Sequence, residues 1–174
     1  MQQALVFTFI GNDKPGIVER LSNLVASHGG NWLESRMTKL GGKFTGVVQI
    51  SVDQDKVEDV KKALNDATSD ELAILLESGT HDVEQPAHKT IKLSIIGLDR
   101  AGIVREIAQG LIQHGFNVID MHTLTESAPM AGNLLFKAEV TVDTRSDVDM
   151  EKFSEDIEDI CNTLDIDWNL EEIR

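Results

Sequence analysis

At 174 residues the chain can hold one or two small domains, and a hydrophobic fraction of 41% with only 5% aromatics requires any core to be built from Val, Ile, Leu and Ala. Its 16 Lys and Arg are outnumbered by 30 Asp and Glu, for a formal net charge of −14 without a basic run, which argues against unassisted DNA or RNA binding. The single cysteine, Cys161, excludes an intramolecular disulfide, Met1-Gln2-Gln3 lacks the basic region of a secretory signal, and no apolar run nears the roughly 18 residues of a membrane span, so a soluble cytoplasmic protein is expected.

The first predicted element is a buried strand, Ala4–Ile10, β-rich and closed by Gly11. A helix follows, because Ile17, Val18, Leu21, Leu24, Val25 and His28 fall at i, i+1, i+4, i+7, i+8 and i+11. Asp13 is its expected N-cap, Pro15 suits the first turn, and Gly29-Gly30 ends it with one glycine left-handed. Trp32–Lys39 and Lys43–Val52 read as a hairpin turning at Gly41-Gly42. Val57, Val60, Ala63, Leu64 and Ala67 stripe a second helix, and Leu72, Ile74 and Leu76 alternate on a last strand. The polar stretch Ser78–Lys89, with Gly79 and Pro86, reads as a linker with its centre at 81–87, between domains at 1–80 and 88–174. The same order then returns. Thr90–Gly97 is a strand, and Ile103, Val104, Ile107, Leu111 and Ile112 stripe a helix. Phe116–Thr125 and Asn133–Val142 are strands, Met150, Phe153, Ile157, Ile160, Cys161 and Leu164 stripe a helix, and Ile166, Trp168 and Leu170 alternate on a strand.

The two halves also match residue by residue. Ile10-Gly11-Asn12-Asp13-Lys14-Pro15-Gly16-Ile17-Val18 is repeated 86 residues later as Ile96-Gly97-Leu98-Asp99-Arg100-Ala101-Gly102-Ile103-Val104, and His28-Gly29-Gly30-Asn31 as His114-Gly115-Phe116-Asn117. Val52-Asp53 meets Val142-Asp143 at an offset of 90, which implies four inserted residues near Glu126–Ala131. The order β-α-β-β-α-β, twice over, predicts an α+β chain of two ferredoxin-like domains, each an antiparallel sheet with its helices on one face. Exposed sheet edges invite pairing with another copy, and a homo-oligomer through sheet or helix faces is a possible outcome.

The loop after the first strand is the candidate site. A helix N-terminus offers unpaired N–H groups and a partial positive charge, a natural seat for a carboxylate. Here those groups belong to Gly16 and Ile17. Gly11 permits close backbone approach, and Asn12 and Asp13 can accept from an ammonium group, so the loop suits a free amino acid. The same residues suit a helix cap followed by a glycine needed for packing; recurrence in both copies favours the functional reading, although duplication by itself also produces it. In the second copy the matching candidates are Gly97, Leu98, Asp99, Gly102 and Ile103. Leu98 cannot accept a hydrogen bond where Asn12 can, Ala101 replaces Pro15, and Val118 stands where Trp32 opens the first copy's second strand, so the two sites need not be equivalent.

A strand followed by G-x-D-[KR]-[PA]-G-I-V at the start of a helix, in this frame, resembles the ACT domain family, and the resemblance spans nearly the whole chain as two domains. It implies that small ligands, mostly amino acids, bind between paired domains, with the Gly11 or Gly97 loop on one side and the partner's second strand on the other. A stand-alone acidic tandem without a catalytic domain most resembles family members that regulate transcription. That implies a sensor of a small amino acid, glycine first, acting through a separate DNA-binding transcription activator. The alternative is an ACT regulatory subunit that binds a metabolic enzyme in trans.

An enzymatic role ranks third, since no nucleophile–base pair is evident, no His, Cys and Asp spacing suggests zinc, and no cofactor is implied. The glycine spacing is not that of a dinucleotide fingerprint. His28 and His114 are expected at helix ends, Cys161 in a core, and Glu155-Asp156 with Glu158-Asp159 on a solvated helix face.

Overall fold

The computed structural model describes residues 1–78, 88–128, 132–145 and 149–173. The chain divides into two compact units, Met1–Val83 and Glu84–Arg174, and the expected linker at 81–87 lies outside the described residues. The first unit runs β1 (Gln2–Asn12), α1 (Ile17–Ser27), β2 (Gly30–Leu40), β3 (Lys43–Asp53), a 3-10 turn (Gln54–Lys56), α2 (Val57–Asp66) and β4 (Leu72–Ser78). The second repeats it as β5 (His88–Leu98), α3 (Ile103–Gln113), β6 (Asn117–Ser127), β7 (Leu134–Arg145), α4 (Met150–Leu164) and β8 (Ile166–Ile173). Both sheets are antiparallel, with strand orders β2-β3-β1-β4 and β6-β7-β5-β8.

Alternation along the strands decides which sheet face is covered. In the first unit Leu5, Phe7, Phe9, Val48, Ile50 and Val52 turn inward and meet Leu21 and Val25 of α1 and Val57, Val60 and Leu64 of α2. The second core sets Ile91, Leu93, Val140 and Val142 against Ile107, Leu111, Phe153 and Ile157. Each such side chain contributes about 1.5–3 kcal/mol on burial, and the few aromatics are not spared from the cores as the composition suggested: Phe7 and Phe9 lie in the first, and Phe116, Phe136 and Phe153 in the second. Cys161 joins the second core, where burial pushes its thiol up to about 11. His28 and His114 are the C-caps of α1 and α3, followed by Gly29 and Gly115 at φ 77° and 79°. The Gly41-Gly42 turn has both φ values positive, 57° and 76°, as a tight two-residue hairpin demands.

Three expectations change. First, β1 does not end at Ile10: Gly11 and Asn12 continue the strand, opposite Phe44 and Lys43. Second, Asp13 is not the cap of α1. Gly16 is the N-cap, at φ 94° and ψ −2°, and its carbonyl accepts the N–H of Arg20 at 2.9 Å, so Pro15 precedes the helix instead of entering its first turn. Gly102 does the same for α3 at φ 92°, its carbonyl accepting the N–H of Glu106 at 3.0 Å. Third, the insertion is longer than the offsets implied. Trp32 pairs with Ile50 and Val118 with Val142, an offset of 86 on the edge strand but 92 on its neighbour, so the second hairpin carries six extra residues. The slip of two left every side chain on its own sheet face, which is why the hydrophobic pattern concealed it.

Candidate functional site

The two loops share one backbone design. The strand leaves the sheet at Asp13 or Asp99, whose N–H donates to the carbonyl of Gly42 (3.1 Å) or Leu134 (2.9 Å). The chain then crosses to the left-handed Gly16 or Gly102 and enters the helix. Neither glycine cap supplies a side-chain acceptor to the first helical turn. Among the described residues the N–H groups of Gly16 and Ile17 donate to no backbone acceptor, while Ile103 N–H makes a long 3.4 Å bond to Arg100. Gly11 serves a different purpose from the one expected. It is buried, and a Cβ there would lie 2.7 Å from the Glu71 carbonyl oxygen, so it lets β4 start close against β1. Gly97 plays the same part against Ile166.

In the first unit the loop lies among lysines from neighbouring strands. Lys43 Nζ donates to Asn12 Oδ1 at 2.6 Å, Lys39 is ion-paired with Asp13, and Lys14 is bound to Glu71 at 2.8 Å. The hydrogen bond and charge of Lys14 hold the Glu71 carboxyl below its ordinary range. The two acceptors expected to receive a ligand's ammonium therefore already hold ammonium groups of the protein, and the exposed loop of a strongly acidic chain is locally rich in cations. An open hollow of about 440 Å³ is lined by Asp13, Lys14, Pro15, Gly16, Val18, Glu19 and Phe44. It gathers Asp13, Pro15 and Gly16 from the expected set. Gly11 and Asn12 lie behind it in the sheet, and Ile17 turns partly onto the core. Phe44, Lys39 and Lys43 were not foreseen. They flank the Gly41-Gly42 turn, and extending the β1–β3 register two residues past Ile10 places Lys43 beside Asn12.

The second loop is built otherwise. Leu98 faces Leu135 where Asn12 faces Lys43, and Thr125 stands in register where Lys39 does. Arg100 replaces Lys14 but is engaged by Glu106 at 2.6 Å, a bond that holds the Glu106 carboxyl below its ordinary range. Ile103 is buried, so only its backbone faces the loop. Gly97 and Leu98 line a separate cavity of about 360 Å³ with Asn162, Asp165 and Ile166, away from Asp99 and Gly102. Among the described residues there is no group of three or more His, Cys, Asp or Glu arranged to hold a metal, and no helix long and apolar enough to cross a membrane.

This fold and loop define a class. Residues 3–78 match the model of the ACT domain family, and the second unit repeats the element order, sheet order and left-handed loop glycine, so the chain folds as a tandem of two ferredoxin-like units, the first of which matches that family. Within that class it resembles the glycine cleavage system transcriptional repressor. It is 21% identical to the repressor of Escherichia coli (strain K12) over 164 residues, covering 94% of this chain and 86% of the relative. Among solved structures it is similar over its full length to an unknown protein from Galdieria sulphuraria (TM-score 0.86, 26% identity, all of both chains). It shares the fold of a protein provisionally named a glycine cleavage system transcriptional repressor (TM-score 0.74, 23% identity, 100% and 99% of the two chains).

Proposed function

We propose that this protein is a non-enzymatic regulator that senses a small amino acid, glycine first, and controls transcription through contact with a separate DNA-binding activator. The observation that carries the reading is the first loop, where open first-turn amides behind the left-handed Gly16 lie beside Lys14, Lys39 and Lys43 in a chain of net charge −14. A ligand carboxylate would take the amides of Gly16 and Ile17, and its ammonium would take Glu19, or Asp13 by displacing Lys39, on the rim of the same hollow. A paired domain would close the other side with its second strand. The likeness to named repressors over 94% of the chain supports transcription as the output.

Regulation requires that the amino acid bind the free protein and its complex with activator unequally, since equal binding shifts nothing. Glycine that releases the activator must itself be released by the activator, by the same factor, typically about 5- to 150-fold. Calorimetric titration of glycine into the wild type, Asp13→Ala and Asp99→Ala tests the site. The expected result is weaker binding in Asp13→Ala and a smaller change in Asp99→Ala; equal binding by all three removes these loops from the mechanism. Capture of partners from cell extract should recover a DNA-binding activator, and recovery of a metabolic enzyme instead would make the chain a regulatory subunit.

A further inference from the structure

The two sheets match row for row, yet their uncovered faces have diverged. In the first unit one row across the outer face reads Arg36, Val47, Thr8, Leu75; the same row in the second reads His122, Glu139, Ser94, Asn169. The next row reads Thr38, Thr45, Ile10, Ala73 against Leu124, Lys137, Ile96, Asp167. Charge occupies the centre of the second face and is absent from the centre of the first. There Ile10 and Val47 are each 49% exposed and Leu75 is 63% exposed, more than a solvated sheet face needs.

This face is also shaped to receive itself. A hollow of about 340 Å³ opens at the β2 side, lined by Val6, Glu34, Ser35, Arg36, Val47 and Gln49. The most exposed large apolar side chain of the rows just described, Leu75, stands on the opposite edge strand β4, in the row of Arg36 and Val47. A two-fold axis parallel to the strands, lying between two stacked sheets, carries β4 of one copy over β2 of the other and keeps each row in place. It therefore sets Leu75 of each copy over the hollow of its partner, as an isologous interface demands. We propose that the chain forms a two-fold dimer through the outer face of its first sheet, with Leu75 of each copy seated in the Val6–Val47 hollow of the other.

The footprint is small, roughly 400 Å² of sheet per copy from strand spacing and rise, about half that of a standard interface. Glu77 also falls on the row of the partner's Glu34. The dimer should therefore be weak, with a dissociation constant in roughly the micromolar to millimolar range. Sedimentation equilibrium of the full chain up to about 1 mM should show a concentration-dependent dimer. Leu75→Glu and Val47→Glu should each weaken it by roughly tenfold or more, Glu77→Lys should tighten it, and Asn169→Glu on the second sheet should leave it unchanged. All four side chains lie on outer sheet faces, and unchanged circular dichroism establishes that each variant is folded. In a Cys161→Ser background, a Leu75→Cys chain mixed with an Arg36→Cys chain should be joined by a short bismaleimide able to span the roughly 10 Å between stacked sheets, a gap too wide for a direct disulfide. A wild type that stays monomeric throughout, or a dimer indifferent to Leu75→Glu and Val47→Glu, would overturn the proposal and leave this face to a different partner.

Discussion

Replacing Gly16 by alanine isolates the feature on which the first loop depends. At φ 94° and ψ −2° the backbone lies where an L side chain is strained. A Cβ added there would meet nothing within 4 Å, so no steric clash enters. The cost is then backbone strain alone, about 1–2 kcal/mol. For a unit of this size each kcal/mol moves the melting temperature by about 4–8 °C, so Gly16→Ala should melt roughly 4–16 °C below the wild type. The sign is the sharper criterion. Where φ is ordinary, Gly→Ala stabilises by about 0.4–1 kcal/mol through the unfolded chain. Trp32, packed edge-on against Phe7 at 6.1 Å, reports the first unit, and Trp168→Phe removes the signal of the second. Urea titrations in that background should rank wild type above Gly16→Asn above Gly16→Ala, because asparagine tolerates the left-handed region better than alanine. An alanine variant as stable as the wild type, or more stable, would refute the left-handed cap and the open amides behind it.

Asp149 caps α4, its carboxylate accepting the N–H of Glu151 at 2.9 Å, so Asp149→Ala should cost about 0.5–2 kcal/mol in the second unit, read from Trp168 with Trp32→Phe as background. Cys161, buried and with its thiol pushed up to about 11, should react with a disulfide reagent at neutral pH only as fast as the second unit opens. Adding urea should therefore accelerate labelling in step with unfolding, and rapid labelling of the native protein would contradict that burial. Purified protein alone should not retard DNA on a gel at physiological salt, given the charge of −14, and a retarded band without activator would refute an indirect action on transcription.

The fold was legible because periodicity and duplication agreed. Helix stripes such as Ile103, Ile107 and Leu111, strand alternation such as Leu5, Phe7 and Phe9, and the paired glycines of the turns each predict a local state, and the second copy repeats them. What escaped the sequence was geometry between elements. An Asp ahead of a helix reads as a cap, but in the folded chain Gly16 takes that place and Asp13 turns to Lys39. Gly11 reads as a ligand-approach glycine, whereas its missing side chain makes room for the Glu71 carbonyl. Lys43 and Phe44 are 31 or more residues beyond Asn12, and they join the loop only through hairpin register. The six-residue insertion was hidden because an even slip preserves alternation.

The proposed function requires an amino acid to reach the first-turn amides of α1. The most direct test is a glycine titration followed by amide chemical shifts of the ¹⁵N-labelled chain. Saturable shifts are expected, largest at Gly16 and Ile17 and smaller at Gly102 and Ile103, with their loss in Asp13→Ala. Saturation with those amides unmoved, or no saturable shift at all, would contradict the proposed function.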